Sequence, residues 1–221
     1  MTASTTGGIA ATTTEDGWLR IPELPQAQRE AWVAEVVGEL REAWGEAWDD
    51  RAELMVSTML AETIGDRPDA HVVFEVWPFA VPARARVQIS MLDAATVPDL
   101  QQLGFSLVPY DGAAAGPGLM LVRRSTEAAE DGEGVRLVDW GVLFDDGTHA
   151  LLVQVDTLPL FFLQRILPGL HGLVVGLEAT LPDGRPFRAV PSAHALADPD
   201  GEWSALRLRA EGLAGDDAGA R

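Results

Sequence analysis

The chain has 221 residues, of which 34 are acidic and 16 are basic, so its formal net charge is -18. Such a field repels nucleic acid and anionic lipid, which argues against both as partners, and the sequence lacks the basic helix of a DNA regulator. It contains no cysteine, which excludes disulfides, thiol nucleophiles, zinc–thiolate sites and iron–sulfur sites.

The excess of acidic residues has two interpretations: it keeps the protein soluble, or it attracts a basic protein surface. The N-terminus lacks the basic and apolar regions of a signal peptide. The longest apolar stretch, 150–163, contains Gln154 and Asp156 and is too short to span a bilayer. We therefore expect a cytoplasmic protein, and the absence of lysine and asparagine is typical of a GC-rich bacterial genome.

The first element predicted along the chain is a flexible tail. Residues 1–15 are mostly threonine, alanine and glycine without periodicity, and residues 211–221 are small and acidic, so both ends are predicted to be disordered. Between them, residues 16–210 contain no linker long enough to divide the chain. The sequence therefore predicts a single domain over 16–210.

An amphipathic helical pair is predicted next. Beyond Pro25, apolar residues recur at spacings of three and four up to Trp48, with glutamates on the opposite arc. The phase then changes, which indicates a second helix over 51–64 with Asp49 or Asp50 as its N-cap. A solvated acidic face explains the glutamate row more simply than a docking surface does.

Strands and one short helix are predicted from residue 71 onwards, because β-branched and aromatic residues dominate and polar residues alternate with them. The predicted strands are 71–77, 84–92, 105–108 and 119–123, and the short helix is 97–103.

The strongest local signal is a hairpin over 136–156. Asp145-Asp146-Gly147 separates two apolar runs, and a short Asp-Gly between strand-like runs favours a tight turn. Both faces of both runs are largely apolar, which indicates a central pair of a sheet that is covered on both sides.

The remaining elements complete an α+β fold. A helix is predicted over 158–167, and 169–181 is either a helix, which would cover the sheet, or a strand before Pro182-Asp183-Gly184. Residues 185–190 and 203–209 alternate weakly and are interpreted as a peripheral strand pair. This order predicts an antiparallel meandering sheet flanked by helices. Over residues 17–180 it resembles that of Mog1/PsbP-like folds, although no motif accompanies the resemblance and it implies no function or site residue.

Motifs for catalysis, phosphate binding and metal binding are absent from the sequence. There is no nucleophile elbow, Walker loop, dinucleotide fingerprint, zinc-binding helix motif or EF-hand loop. The four histidines, at positions 71, 149, 171 and 194, lack metal-ligand spacing. We therefore expect no metal and no cofactor.

Three carboxylates occur inside apolar strand-like runs: Glu75, Asp139 and Asp156. A carboxylate in a sheet must be paired, hydrogen-bonded or protonated, because burying it bare is costly. One interpretation pairs them with arginines on neighbouring strands; the other places them in a pocket as acid–base groups. The spacing does not distinguish the two.

A crowded apolar run is the candidate protein contact. Five of the six positions from 158 to 163 are large and apolar, which on a helix spans more than half of the circumference. These candidate contact residues are Leu158, Leu160, Phe161, Phe162 and Leu163.

The function expected from these patterns is a non-catalytic binding or assembly protein that acts through contacts with a partner protein or with itself. The alternative is a small-molecule enzyme or ligand-binding domain whose pocket is lined by the strand carboxylates. A pocket function predicts a cavity in which two strand carboxylates converge without arginine partners. A protein contact predicts an exposed apolar patch.

Overall fold

The computed structural model describes residues 8–13, 15–81, 83–128 and 134–192, and confirms an α+β fold with an antiparallel sheet. The described residues form three α-helices: α1 (Gln26–Trp44), α2 (Asp50–Gly65) and α3 (Leu160–Val175). They form nine strands: β1 (Gly8–Ala10), β2 (Trp18–Arg20), β3 (Val72–Val76), β4 (Ala85–Asp93), β5 (Ser106–Ala113), β6 (Gly116–Ala128), β7 (Gly134–Asp145), β8 (His149–Pro159) and β9 (Glu178–Thr180).

Seven of these strands form the main sheet in the order β2-β3-β4-β8-β7-β6-β5, with every neighbouring pair antiparallel. The Asp-Gly signal predicts this β7–β8 hairpin, and its central position is the one predicted from the apolar character of both faces of the two strands. Gly147 has φ +90°, a conformation that favours glycine, and Asp145 Oδ1 accepts its amide proton at 2.6 Å. The hairpin thereby reverses the chain so that β8 pairs with β4, a strand much earlier in the sequence.

One face of the main sheet, called the α3 face, carries the largest core. Alternate residues of the strands, among them Phe74, Trp140 and Phe144, are buried against the apolar side of α3. Gly169 lets Trp18 pack closely on the helix, since a Cβ there would lie 2.8 Å from the indole. Burial of this one continuous layer is what holds α3 on the sheet.

The other face of the main sheet, called the open face, is covered in two separate parts. Helices α1 and α2 cover β2 and β3 through a cluster that includes Val36, Leu60 and Trp77. The β4–β5 connection, residues 94–105, covers strands β5 to β8 through an independent cluster around Leu121 and Leu143. Between these covers, polar side chains of the central strand β8 are exposed to solvent.

The structure corrects two predicted elements. Residues 97–103 form turns rather than a helix, and the short helix in this connection is the 3₁₀ segment Ala94–Thr96. The predicted break at Pro168 is wrong, because α3 begins at Leu160 and runs through this proline to Val175. Buried leucines on both sides of Pro168 keep the helix on the sheet despite the missing amide donor.

The N-terminal segment also differs from the prediction. Residues 8–10 of the predicted disordered tail form β1, which pairs with β9, and Ala11 is buried in the α3-face core. A strand of three residues, Gly-Ile-Ala, is too short to show a periodicity, so its pairing depends on the partner strand rather than on its own sequence. Residues 1–7, the predicted strand 203–209, His194 and the tail 211–221 lie outside the described residues.

Candidate functional site

The three strand carboxylates lie on the open face of the main sheet. Glu75 is opposite Arg86 on β4, and Asp139 is opposite Arg123 on β6. Asp156 lies on β8, between β4 and β7. The antiparallel meander therefore places all three carboxylates, which are far apart in sequence, on one polar row across the strands.

Glu75 is an internal ion-pairing residue. Its side chain is fully buried, and its Oε1 forms an ion pair with Arg84 Nη1 at 2.8 Å and accepts hydrogen bonds from Arg86 Nε at 2.9 Å and Thr63 Oγ1 at 2.9 Å. Because Thr63 belongs to α2, this cluster connects the helix to β3 and β4. Its Oε2 is buried without a hydrogen-bond partner. Arginine pairing therefore accounts for Glu75, and this residue does not line the cavity described next.

A cavity of about 610 Å³ lies between the β4–β5 connection and the open face. Its volume is within the range usual for small-molecule sites. Most of the lining is apolar, and its polar end contains Asp139, Gln154, Asp156 and Thr157. The structure thus brings two of the three predicted carboxylates into one cavity.

These two carboxylates have different partners. Asp139 Oδ2 accepts a hydrogen bond from Arg123 Nε at 2.8 Å, and its Oδ1 accepts one from the Thr157 hydroxyl. Asp156 Oδ1 accepts a hydrogen bond from the neutral amide of Gln88 at 3.0 Å. Within the described ranges, Asp156 forms no ion pair with an arginine or histidine.

An exposed apolar cluster lies where α3 begins. Phe161 is 65% exposed, and Phe79, in the β3–β4 connection, is 40% exposed and packs on the same neighbour, Phe162. Val81, two residues further along that connection, is 47% exposed. We call Phe79, Val81 and Phe161 the aromatic patch. The ring of buried Phe162 lies below it, with its centroid 6.0 Å from that of Phe79 and 6.4 Å from that of Phe161.

The crowded run therefore divides into core and surface. Leu158, Phe162 and Leu163 are buried, Leu160 is half-buried and Phe161 is exposed. The predicted helix began two residues too early: Leu158 belongs to β8, so a strand and a helix bury different members of the run. Sequence reasoning missed Phe79 and Val81, although two large apolar residues in a proline-bounded connection could have indicated the patch.

The three histidines that the structure describes, His71, His149 and His171, are not grouped. His171 Nδ1 lies 2.6 Å from the Tyr110 hydroxyl, and His149 Nδ1 lies 3.6 Å from Asp146 Oδ2. In the part of the chain that the structure describes, no three histidine or carboxylate side chains are close enough together to hold a metal ion.

Comparisons with known proteins add no identification: no family model matches the chain, and no curated protein matches it by sequence. A search of the described helices found none with the length and apolar character needed to cross a membrane.

Proposed function

We propose that this protein is a non-catalytic binding or assembly protein that contacts a protein partner, or a second copy of itself, through the aromatic patch. The carrying observation is the 65% exposure of Phe161 at the start of α3, together with exposed Phe79, whose ring packs on the same buried neighbour, Phe162. Scattered exposed apolar residues are ordinary, but a cluster of large ones is typical of a contact surface.

The patch has the features of a contact anchor. Phe161 projects from a helix, so its ring is presented by a rigid element rather than by a loop. Phe79 packs on Phe162 on one side, and the Arg165 guanidinium carbon lies 6.0 Å from its ring centroid. Aromatic and arginine side chains are the residues that most often carry binding energy in protein interfaces. We expect the partner to offer an apolar pocket.

The net charge of -18 adds a second requirement for the partner. For a partner other than a second copy of the chain, long-range attraction favours a protein whose surface around the apolar contact is basic, and such attraction raises the association rate more than the affinity. Binding should therefore become slower as the salt concentration rises, while the apolar contact itself persists.

The test compares Phe161→Ser with Leu54→Ser. Leu54, on α2, is 69% exposed and lies outside the aromatic patch, so it is a matched control for loss of an exposed apolar side chain. We expect Phe161→Ser to keep its melting temperature and to lose self-association in analytical ultracentrifugation or capture of a partner. Leu54→Ser should retain both. Equal association by the two variants would contradict the proposal.

The buried neighbour Phe162 is the second comparison. Since it is 6% exposed, Phe162→Ser should destabilise the fold by about 3 kcal/mol or more rather than act on association alone. If Phe161→Ser unfolds the protein as Phe162→Ser does, and neither changes association at low temperature, both rings belong to the core.

The enzymatic alternative has weaker support. It requires two strand carboxylates that converge without arginine partners, whereas Glu75 has two such partners and Asp139 has one. Asp156 alone meets the requirement, which is compatible with binding a ligand but leaves acid–base catalysis without its second carboxylate.

A further inference from the structure

We propose that the cavity on the open face binds an apolar molecule that carries one ammonium group, with the ammonium at Asp156. This site lies across the sheet from α3 and is independent of the aromatic patch, so it adds a ligand to the proposed protein contact. The inference depends on three observations: the apolar lining, the partners of Asp156, and the fixed position of the nearby arginines.

The apolar part of the ligand would lie between the β4–β5 connection and the strands. Val97, Leu100 and Phe105 of the connection form one wall of the cavity, and Leu121 and Leu152 of β6 and β8 form its floor. Such a slot releases water from an alkyl or aromatic body on binding, at about 25 cal/mol per Å² of apolar surface buried.

The polar end of the cavity favours a cation. Asp139 and Asp156 lie close together across β7 and β8, and only Asp139 has an arginine partner. Arg123 neutralises Asp139, whereas Asp156 has the neutral amide of Gln88 as its hydrogen-bond partner and forms no ion pair within the described ranges. An ammonium group would form that ion pair with Asp156, whereas a ligand carboxylate would be repelled by it.

Neither Arg86 nor Arg123 can form an ion pair with Asp156 without losing its present contacts. Because Val87 on β4 pairs with Val155 on β8, the next residues along, Arg86 and Asp156, lie opposite each other. The Arg86 side chain nevertheless donates from Nε to Glu75 at 2.9 Å. The other arginine, Arg123, is held at three points.

Arg123 makes three contacts, none of which is with Asp156. Its Nε donates to Asp139 at 2.8 Å, its Nη1 donates to the Leu103 carbonyl at 3.2 Å, and its guanidinium carbon lies 4.8 Å from the Phe105 ring centroid. These contacts also fasten the β4–β5 connection to the sheet, so the wall of the cavity and the charge at its polar end depend on the same side chain.

A single ammonium fits this site better than a metal ion does. A hard divalent cation takes six or more oxygen ligands. Asp139 uses both of its oxygens on Arg123 and Thr157, and among the described residues no third carboxylate or histidine joins this pair. An ammonium group needs only a few acceptors, which Asp156 and the side-chain oxygen of Gln154 provide.

The test uses three probes that share one alkyl chain: octylamine, octanol and octanoate, each titrated calorimetrically into the full chain at neutral pH. We expect octylamine to bind about tenfold more tightly than octanol, and octanoate more weakly than either. Asp156→Asn should bring octylamine to the affinity of octanol and leave octanol unchanged.

Two further variants separate the specific site from general attraction to a negative protein. Glu178→Gln removes one exposed charge on β9, away from the cavity, and should keep the preference for octylamine. Val97→Trp narrows the cavity and should weaken all three probes. The proposal is wrong if none of the probes binds, if octylamine shows no preference over octanol, or if Asp156→Asn and Glu178→Gln behave alike. Phe161→Ser should not affect any titration, so this test is separate from that of the protein contact.

Discussion

The two faces of the main sheet differ in how they are covered. On the α3 face, one helix and the alternate residues of the strands form a continuous apolar layer that includes Phe74, Trp140 and Leu163. On the open face, two unconnected covers leave a polar row between them. The continuous layer on the α3 face stabilises the fold cooperatively, whereas the divided cover of the open face leaves space for a ligand.

The difference assigns distinct roles to side chains in the same strands. Along β7, Trp140 points to the α3 face and neighbouring Asp139 points to the open face. Substitutions on the α3 face should therefore act on folding. Those in the polar row of the open face should act on binding, except at Glu75, where an ion-pair cluster is buried.

The largest effect is expected at Trp140 on the α3 face. Its side chain is 3% exposed, so Trp140→Ala should reduce the free energy of unfolding by about 3–5 kcal/mol. Urea denaturation followed by circular dichroism measures the change. A loss below about 1 kcal/mol would show that the α3 face is not the main source of stability.

The second largest loss of unfolding free energy is expected at Glu75, in the buried ion-pair cluster of the open face. Glu75→Gln would leave half-buried Arg84 and Arg86 without their buried carboxylate, and breaking a buried ion pair typically costs about 3 kcal/mol. Asp139→Asn is the comparison, because its partner Arg123 is 44% exposed and pairs of this kind contribute about 1 kcal/mol or less. If both substitutions cost the same, the Glu75 cluster is not a structural element of the open face.

The α+β class could be predicted because the strand alternation and the Asp-Gly turn are local signals. The helix through Pro168 could not, since burial of the leucines on both sides outweighs the breaking tendency of proline and appears only after the sheet is assembled. The likeness in element order to Mog1/PsbP-like folds stays a prediction.

The site could be predicted only in part, for a similar reason. Sequence indicated that strand carboxylates are either paired or functional, but the meander decides which arginine lies opposite each one. It gives Glu75 two arginines, Asp139 one and Asp156 the amide of Gln88. Arg86 and Arg123 lie 11 and 16 residues from their carboxylates, on adjacent strands, whereas Gln88 lies 68 residues before Asp156. The environment of Asp156 therefore depends on the pairing of β4 with β8, which no local pattern predicts.

An intermediate loss of unfolding free energy is expected when the N-terminal segment that packs on the α3-face core is removed. Ile9 and Ala11 pack on this core, so a chain that begins at residue 13 should lose about 1–3 kcal/mol of unfolding free energy. A chain that begins at residue 8 keeps β1 and its pairing with β9. Equal melting temperatures for the two truncated chains would show that β1 adds nothing to the α3-face core.

The smallest loss of unfolding free energy is expected on substitution of Asp146. This residue lies in the turn that joins β7 to β8, two strands that contribute side chains to both faces of the sheet. Its Oδ1 accepts the amide protons of Thr148 at 2.8 Å and His149 at 2.7 Å. Burial raises the pKa of Asp146, but these hydrogen bonds and the nearby His149 ring outweigh it, leaving the pKa below its ordinary value of 3.8.

A carboxyl group whose pKa is lower in the folded state stabilises the fold above its unfolded pKa, and this contribution is lost as the pH falls through the folded value. Asp146→Asn should therefore cost about 1 kcal/mol at pH 7, and the difference from the unsubstituted chain should shrink as the pH falls below about 4. Urea denaturation at pH 7, 5, 4 and 3 measures this difference. A cost that stays constant over that range would mean that the turn depends on the shape of the Asp146 side chain and not on its charge.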